Sequence, residues 1–161
     1  MQARTCYAAM VVALSMGAAT VAESQAGQRY LGPRVSYNFD AEEAGLGLQL
    51  GLPLTTSLSF YPSFDVFFVD PGSFFSVNAD FKLRPDIRAP LYFGAGLNVA
   101  RASGGGQSDT NAGLNLLAGL ETTFGAIHPF GELRVILGDG SALQLGAGLN
   151  FSFGPRSTTV R

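Results

Sequence analysis

The chain has 161 residues, 47% of them hydrophobic and only 14% charged, with 21 glycines, 13 phenylalanines, no tryptophan and a formal net charge of −2. This length fits one domain, and so large an apolar fraction excludes a disordered chain. Near-neutrality removes the electrostatic basis for nucleic-acid binding, and a single cysteine excludes a disulfide framework or a cysteine-rich metal site.

Residues 1–26 read as a cleavable signal peptide. Arg4 and the amino terminus form a positive start, and Thr5 to Ala22 is an uncharged run rich in alanine and valine. Two small-residue cleavage sites follow, one after Ala22 and one after Ala26; the second directly precedes the first strand-like segment. An uncleaved anchor is the weaker reading, because the run holds one leucine and many small residues, whereas a bilayer helix needs about 20 strongly apolar ones. Cys6 precedes the apolar run, so it is not placed as a lipoprotein cysteine, and the processed chain is expected to be cysteine-free. The remainder divides into a barrel over residues 27–153 and a short tail over 154–161.

From Tyr30 to Phe153 the pattern has period two, the period of a strand with two unlike faces. Segment one sets Leu31, Val35, Tyr37 and Phe39 against Gly32, Arg34, Ser36 and Asn38. Segment two sets Leu46, Leu48, Leu50 and Leu52 against Gly45, Gly47, Gln49 and Gly51. In segment three Phe60, Phe64 and Val66 oppose Tyr61, Ser63, Asp65 and Phe67; in segment four Val77 and Phe81 oppose Asn78, Asp80 and Lys82. Segment five alternates Phe93 and Leu97 with Tyr92, Gly94, Gly96 and Asn98, and segment six alternates Leu114 and Leu116 with Asn115, Gly119 and Glu121. Leu133 opposes His128, Glu132 and Arg134 in segment seven. In segment eight Leu145, Leu149, Phe151 and Phe153 oppose Gln144, Gly146, Gly148 and Asn150.

Short connections with turn chemistry make sequential segments antiparallel hairpins. The longest, Ala102 to Thr110, is rich in glycine, serine and aspartate and is expected to be a mobile loop. Pro33, Pro53 and Pro129 fall near strand ends, but Pro62 is mid-segment, where a bulge or an unpaired carbonyl is expected.

The chemistry of the two faces selects the class. A soluble barrel exposes lysine, glutamate and threonine, whereas here the less apolar face is glycine, asparagine and serine, suited to a narrow interior. The opposite face carries leucine, phenylalanine and valine on nearly every segment, and a tilted membrane strand needs about 9–11 residues. In lipid an unpaired backbone group costs several kcal/mol, so the sheet must close. The predicted fold is all-β: an eight-stranded antiparallel up-and-down transmembrane β-barrel. Its lipid-facing residues are the outward set just named: Leu48, Leu50, Phe60, Phe64, Val77, Phe81, Phe93, Leu97, Leu114, Leu116, Leu133, Leu145, Leu149, Phe151 and Phe153. Its interior charges are Arg34, Asp65, Asp80, Lys82, Glu121, Glu132 and Arg134, few and nearly balanced, as a structural network in a tight lumen must be. A lumen of about eight strands holds side chains or one small ligand, which argues against an open porin.

Catalytic, metal and cofactor sites are not indicated. His128 and Glu132 share a face four residues apart, about 13 Å along a strand, beyond direct hydrogen bonding unless Glu121 intervenes from a neighbouring strand. No serine stands in a diagnostic context, and Gly104-Gly105-Gly106 lacks the strand-to-helix setting of a phosphate loop.

Leu91-Tyr92-Phe93-Gly94-Ala95-Gly96-Leu97, Pro129-Phe130-Gly131-Glu132-Leu133-Arg134 and Gly146-Ala147-Gly148-Leu149-Asn150-Phe151-Ser152-Phe153 resemble the small outer-membrane β-barrel proteins of the OmpX, OmpA-domain and opacity-protein type. The resemblance implies a Gram-negative outer membrane, contact with its lipids, and recognition of the last strand by the barrel-assembly machinery through Phe153, although Gly154 to Arg161 follow. It implies periplasmic termini, and therefore an outer end bearing Asp40, Glu42, Glu43, Asp70, Asp109 and Asp139. A monomer with no nucleic-acid partner and no enzymatic activity is expected, contributing to envelope integrity or surface interactions. The alternative is a soluble periplasmic barrel holding a lipid or other apolar ligand, with the leucines turned inward; a lipid-modifying barrel enzyme is the third reading.

Overall fold

The computed structural model describes residues 28–70, 72–86, 88–104, 107–122, 124–138 and 141–154. The leader read over residues 1–26 and the tail beyond Gly154 lie outside the described residues. Eight strands follow one another: β1 Arg29–Asn38, β2 Glu43–Pro53, β3 Leu58–Phe67, β4 Ser73–Leu83, β5 Leu91–Gly104, β6 Gln107–Glu121, β7 Ile127–Gly138 and β8 Ala142–Phe153. Each pairs antiparallel with its sequence neighbours, and β1 pairs with β8 to close the barrel. Arg29 lies opposite Phe153, so both ends of the barrel chain emerge at one rim.

Alternation decides which face turns in. Along β1, Gly32, Arg34, Ser36 and Asn38 are buried while Leu31, Val35, Tyr37 and Phe39 are exposed. The same holds around the ring, where Leu48, Leu97, Leu114 and Leu116 are all more than half exposed. The buried centre is mainly polar, with Tyr61, Phe67, Tyr92, Leu117 and Phe130 its only large apolar or aromatic members among the described residues. This inverts the arrangement of a soluble domain, in which apolar groups fill the core.

Pro62 does not produce a bulge. The β2–β3 register is the same on either side of it, from Gln49↔Ser63 to Leu52↔Phe60, and only the intervening pairs at Leu50 and Gly51 are missing. A proline has no N–H to donate, so it drops ladder bonds toward one neighbour; its other side pairs normally, with Ala79 of β4. Pro33 behaves alike, interrupting the β1–β8 ladder between Leu31↔Phe151 and Arg34↔Gly148 while remaining paired with Leu48.

The segment Ala102 to Thr110 is also not the loop its composition suggested. β5 runs on to Gly104 and β6 begins at Gln107, with pairing continuous to Gly104↔Gln107. Both faces are polar there, so the period-two signal vanishes although the backbone stays extended.

Inward glycines admit neighbouring groups. A Cβ on Gly96 would run into the Ala79 carbonyl and the Asp80 carboxylate, whereas one on outward Gly131 would meet nothing within 4 Å. Gly96→Ala is therefore expected to lower unfolding free energy by about 1–3 kcal/mol, with Gly131→Ala within about 0.5 kcal/mol of the parent. Urea unfolding in detergent micelles checks both; equal effects would refute the close approach at Gly96.

Candidate functional site: the charged interior

The polar interior is cross-linked from four sides. Glu132 on β7 sits at its centre, accepting from Lys82 Nζ at 2.6 Å, Arg134 at 2.9 Å and the Tyr92 hydroxyl at 2.9 Å, with the Arg34 guanidinium 3.8 Å away. Arg134 also reaches Asp80 at 2.6 Å, whose other oxygen accepts from Asn115 at 2.7 Å. Asp65 takes Arg34 Nε at 3.2 Å and the Ser36 hydroxyl at 2.9 Å. These groups are virtually inaccessible to solvent.

Toward the rim opposite the chain ends, an amide layer follows. Asn98 donates to Asn78 Oδ1 and Ser76 Oγ, each at 2.7 Å, and Asn115 donates to Asn78 at 3.0 Å. Above it the Phe67 and Phe74 rings stack 4.7 Å apart. Toward the chain ends, Lys82 Nζ lies 4.3 Å from the Tyr61 ring centre and 4.8 Å from that of Tyr92. A desolvated ammonium gains from facing aromatic rings, in addition to its ion pair.

Glu121 is set apart from this cluster, near the rim that carries the chain ends. It accepts from Arg84 at 2.7 Å and from Asn150 at 2.6 Å. Asn150 in turn accepts from Gln49 at 2.7 Å, and Gln49 from Arg34 at 3.5 Å. The structure thus gathers Arg34, Asp65, Asp80, Lys82, Glu132 and Arg134 into one cluster and joins Glu121 to it through two amides. The period-two pattern did not single out Arg84, nor the bridging roles of Tyr92, Asn78, Asn115, Gln49 and Asn150. All but Arg84 lay on the inward face of the period-two pattern, which was the signal available.

His128 contacts the Thr122 carbonyl at 2.7 Å and the Tyr30 ring edge-on at 5.2 Å. Glu121 turns to Arg84 and Asn150, so the His128–Glu121 approach considered from sequence is not formed. Among the described residues no group of three His, Cys, Asp or Glu side chains is placed to hold a metal.

A closed eight-stranded antiparallel meander is the architecture of the small outer-membrane β-barrels. Solved structures of that kind superpose on this chain. The N-terminal β-barrel domain of Pseudomonas aeruginosa OprF matches at TM-score 0.63 and 18% identity, covering 78% of this chain and 97% of that one. Neisserial surface protein A matches at 0.52 and 18%, covering 78% and 95%. Ail, the attachment invasion locus protein of Yersinia pestis, matches at 0.51 and 20%, covering 78% and 97%. No protein-family model and no curated protein sequence matches the chain.

Removing one member of a buried ion cluster leaves its partners desolvated and unpaired, at a cost of about 3–5 kcal/mol. Glu132→Ala removes the ion-pair partner of Lys82 and the acceptor of the Tyr92 hydroxyl and leaves Arg134 with Asp80 alone, so a loss in that range is expected in urea unfolding. Lys82→Met, which leaves Glu132 with Arg134 and Tyr92, is expected to cost less. The reverse order would remove Glu132 from the centre of the network.

Proposed function

We propose that this chain is a small structural protein of a Gram-negative outer membrane, a barrel with a side-chain-filled lumen that contributes to envelope integrity or surface interactions. One observation carries the reading: large apolar side chains are exposed around the whole circumference, including Leu48, Phe64, Val77, Leu97, Leu116, Leu133 and Leu145. In water such a surface would aggregate; in a bilayer it meets acyl chains. Aromatic rings concentrate toward the two rims, with Tyr37, Phe39 and Phe68 at one and Phe60, Phe81, Phe93, Phe151 and Phe153 toward the other, as interfacial girdles require. Outer-membrane lipids are the immediate partners in this reading. Strand β8, ending in Phe153, is the segment offered to the barrel-assembly machinery, and closure without a free edge within the bilayer suits a monomer.

The soluble alternative asks for an apolar lumen, but this interior offers an apolar ligand ions and amides. A non-enzymatic role accords with a His128 held by Tyr30 and a backbone carbonyl, and with carboxylates committed to ion pairs. The rim farthest from the chain ends carries Asp40, Glu42, Glu43, Asp70 and Asp109, so the polyanion contact of Ail, solved with the heparin analogue sucrose octasulfate, does not transfer here.

Two measurements test this. On fractionation the protein is expected with the outer membrane, migrating differently on gels with and without boiling; recovery as a detergent-free soluble monomer would overturn the proposal. Arginine at mid-barrel Leu116 is expected to cost about 2–4 kcal/mol and at Leu31, near the rim, about 0–1 kcal/mol. A cost independent of depth would deny the bilayer.

A further inference from the structure

A cavity of about 200 Å³ opens inside the ring of strands at the rim that carries the chain ends, with room for roughly six waters at ~30 Å³ each. Tyr30 of β1, Ser59 and Tyr61 of β3, Lys82 of β4, Arg84 just beyond it and Glu121 of β6 contribute to its walls. Inward glycines make space for those walls: a Cβ on Gly51 would run into the Tyr61 ring, and one on Gly119 into the Tyr92 ring. The Arg84 amide donates to the Ser57 carbonyl at 2.8 Å, which holds this residue beside the turn between β2 and β3.

Hydrogen-bond donors are in excess here. Tyr61 is only 5% exposed, yet its hydroxyl forms no hydrogen bond among the described residues. The Tyr30 and Ser59 hydroxyls are likewise unengaged among them. Lys82 has three N–H groups and gives one to Glu132 at 2.6 Å. Arg84 has five and gives one to Glu121 at 2.7 Å, while its buried Nε meets no partner among the described residues. The carboxylates are already engaged. Glu121 receives Arg84 on one oxygen and Asn150 on the other, and the Glu132 side chain lies behind Lys82 with no exposed surface. The lining thus sets two cations against one carboxylate, and the exposed rim around it adds Arg29 and Arg88 against Asp86. This end is basic where the opposite one is acidic, which favours the approach of an anion.

We propose that this cavity binds a small oxyanion of phosphate type, carried by a soluble molecule and held by the Tyr30, Ser59 and Tyr61 hydroxyls with the remaining N–H groups of Lys82 and Arg84. Hydrogen bonds from ionised donors to phosphate oxygens are among the strong ones. A phosphate suits the cavity better than a carboxylate, because its oxygens point in four directions and the donors converge from three strands and the segment after β4. A lipid headgroup fits poorly, since the residues that form the walls face the lumen and not the outer side of the sheet. The inference goes beyond the outer-membrane reading and does not need it: the cavity belongs to the closed barrel, whatever surrounds its wall.

The test titrates sodium phosphate into the protein in phosphatidylcholine nanodiscs, with sodium chloride at equal ionic strength as the control, and reads backbone amide shifts by NMR. Saturating shifts at Ser59, Tyr61, Lys82 and Glu121 are expected with phosphate and not with chloride. Tyr61→Phe keeps the ring and loses only a hydroxyl unused within the described protein, so the fold is expected unchanged and the affinity about tenfold weaker. Ser59→Ala, half-buried near the mouth, is expected to weaken binding less. Shifts that do not saturate, equal shifts with chloride, or full affinity in Tyr61→Phe overturn the assignment. Phosphatidylglycerol nanodiscs that produce the same shifts without added phosphate assign the cavity to a lipid headgroup and overturn it too. A chain that stays soluble without lipid defeats the membrane reading alone, and the same titration then runs in buffer with the same outcomes.

Discussion

Backbone hydrogen bonding in a ring is the constraint from which the rest of the molecule follows. Each strand satisfies its N–H and C=O groups against two neighbours, and the β1–β8 pairing removes the last free edges within the barrel wall. With the main chain satisfied sideways, the outer surface needs no polar groups and is given over to leucine, phenylalanine and valine. The prolines show how far the ring tolerates loss. Pro33 and Pro62 each drop a short stretch of ladder toward one neighbour, yet the register is unchanged beyond the gap.

Closure also creates an interior that must be filled. Eight strands leave a core too narrow for many large side chains, hence the inward glycines, which let Asp80 and the Ala79 carbonyl occupy space at Gly96. The charges that remain are mutually dependent. Glu132 serves Lys82, Arg134 and Tyr92 at once, and Arg34 divides between Asp65 and the amide bridge toward Glu121. Such a network costs much to desolvate and contributes chiefly by fixing one arrangement of the strands around it, because any slip in register parts an ion from its partner.

The two rims differ in kind. Near the chain ends the interior finishes in Arg84, Glu121, His128 and Tyr30, tied to one another or to backbone. At the other rim the Phe67 and Phe74 rings stack on each other, and from it the β5–β6 hairpin projects.

Strand number, order, face assignment and closure were legible in the sequence, since alternation of apolar with small or polar residues is a local property that a strand expresses directly. The inward position of Arg34, Asp65, Asp80, Lys82, Glu121, Glu132 and Arg134 followed from parity alone. Which of them meet did not, because partners such as Arg134 and Asp80 lie 54 positions apart and come together only across the closed barrel. The fate of Arg84 and the extent of the β5–β6 hairpin were hidden for a related reason. Arg84 follows the last residue of β4 and turns back to Glu121 on β6, and Gln107–Ala112 is polar on both faces, so only the pairing with β5 reveals a strand. Periodicity reports the solvent on each side of a chain; register and contact distance belong to the assembled sheet.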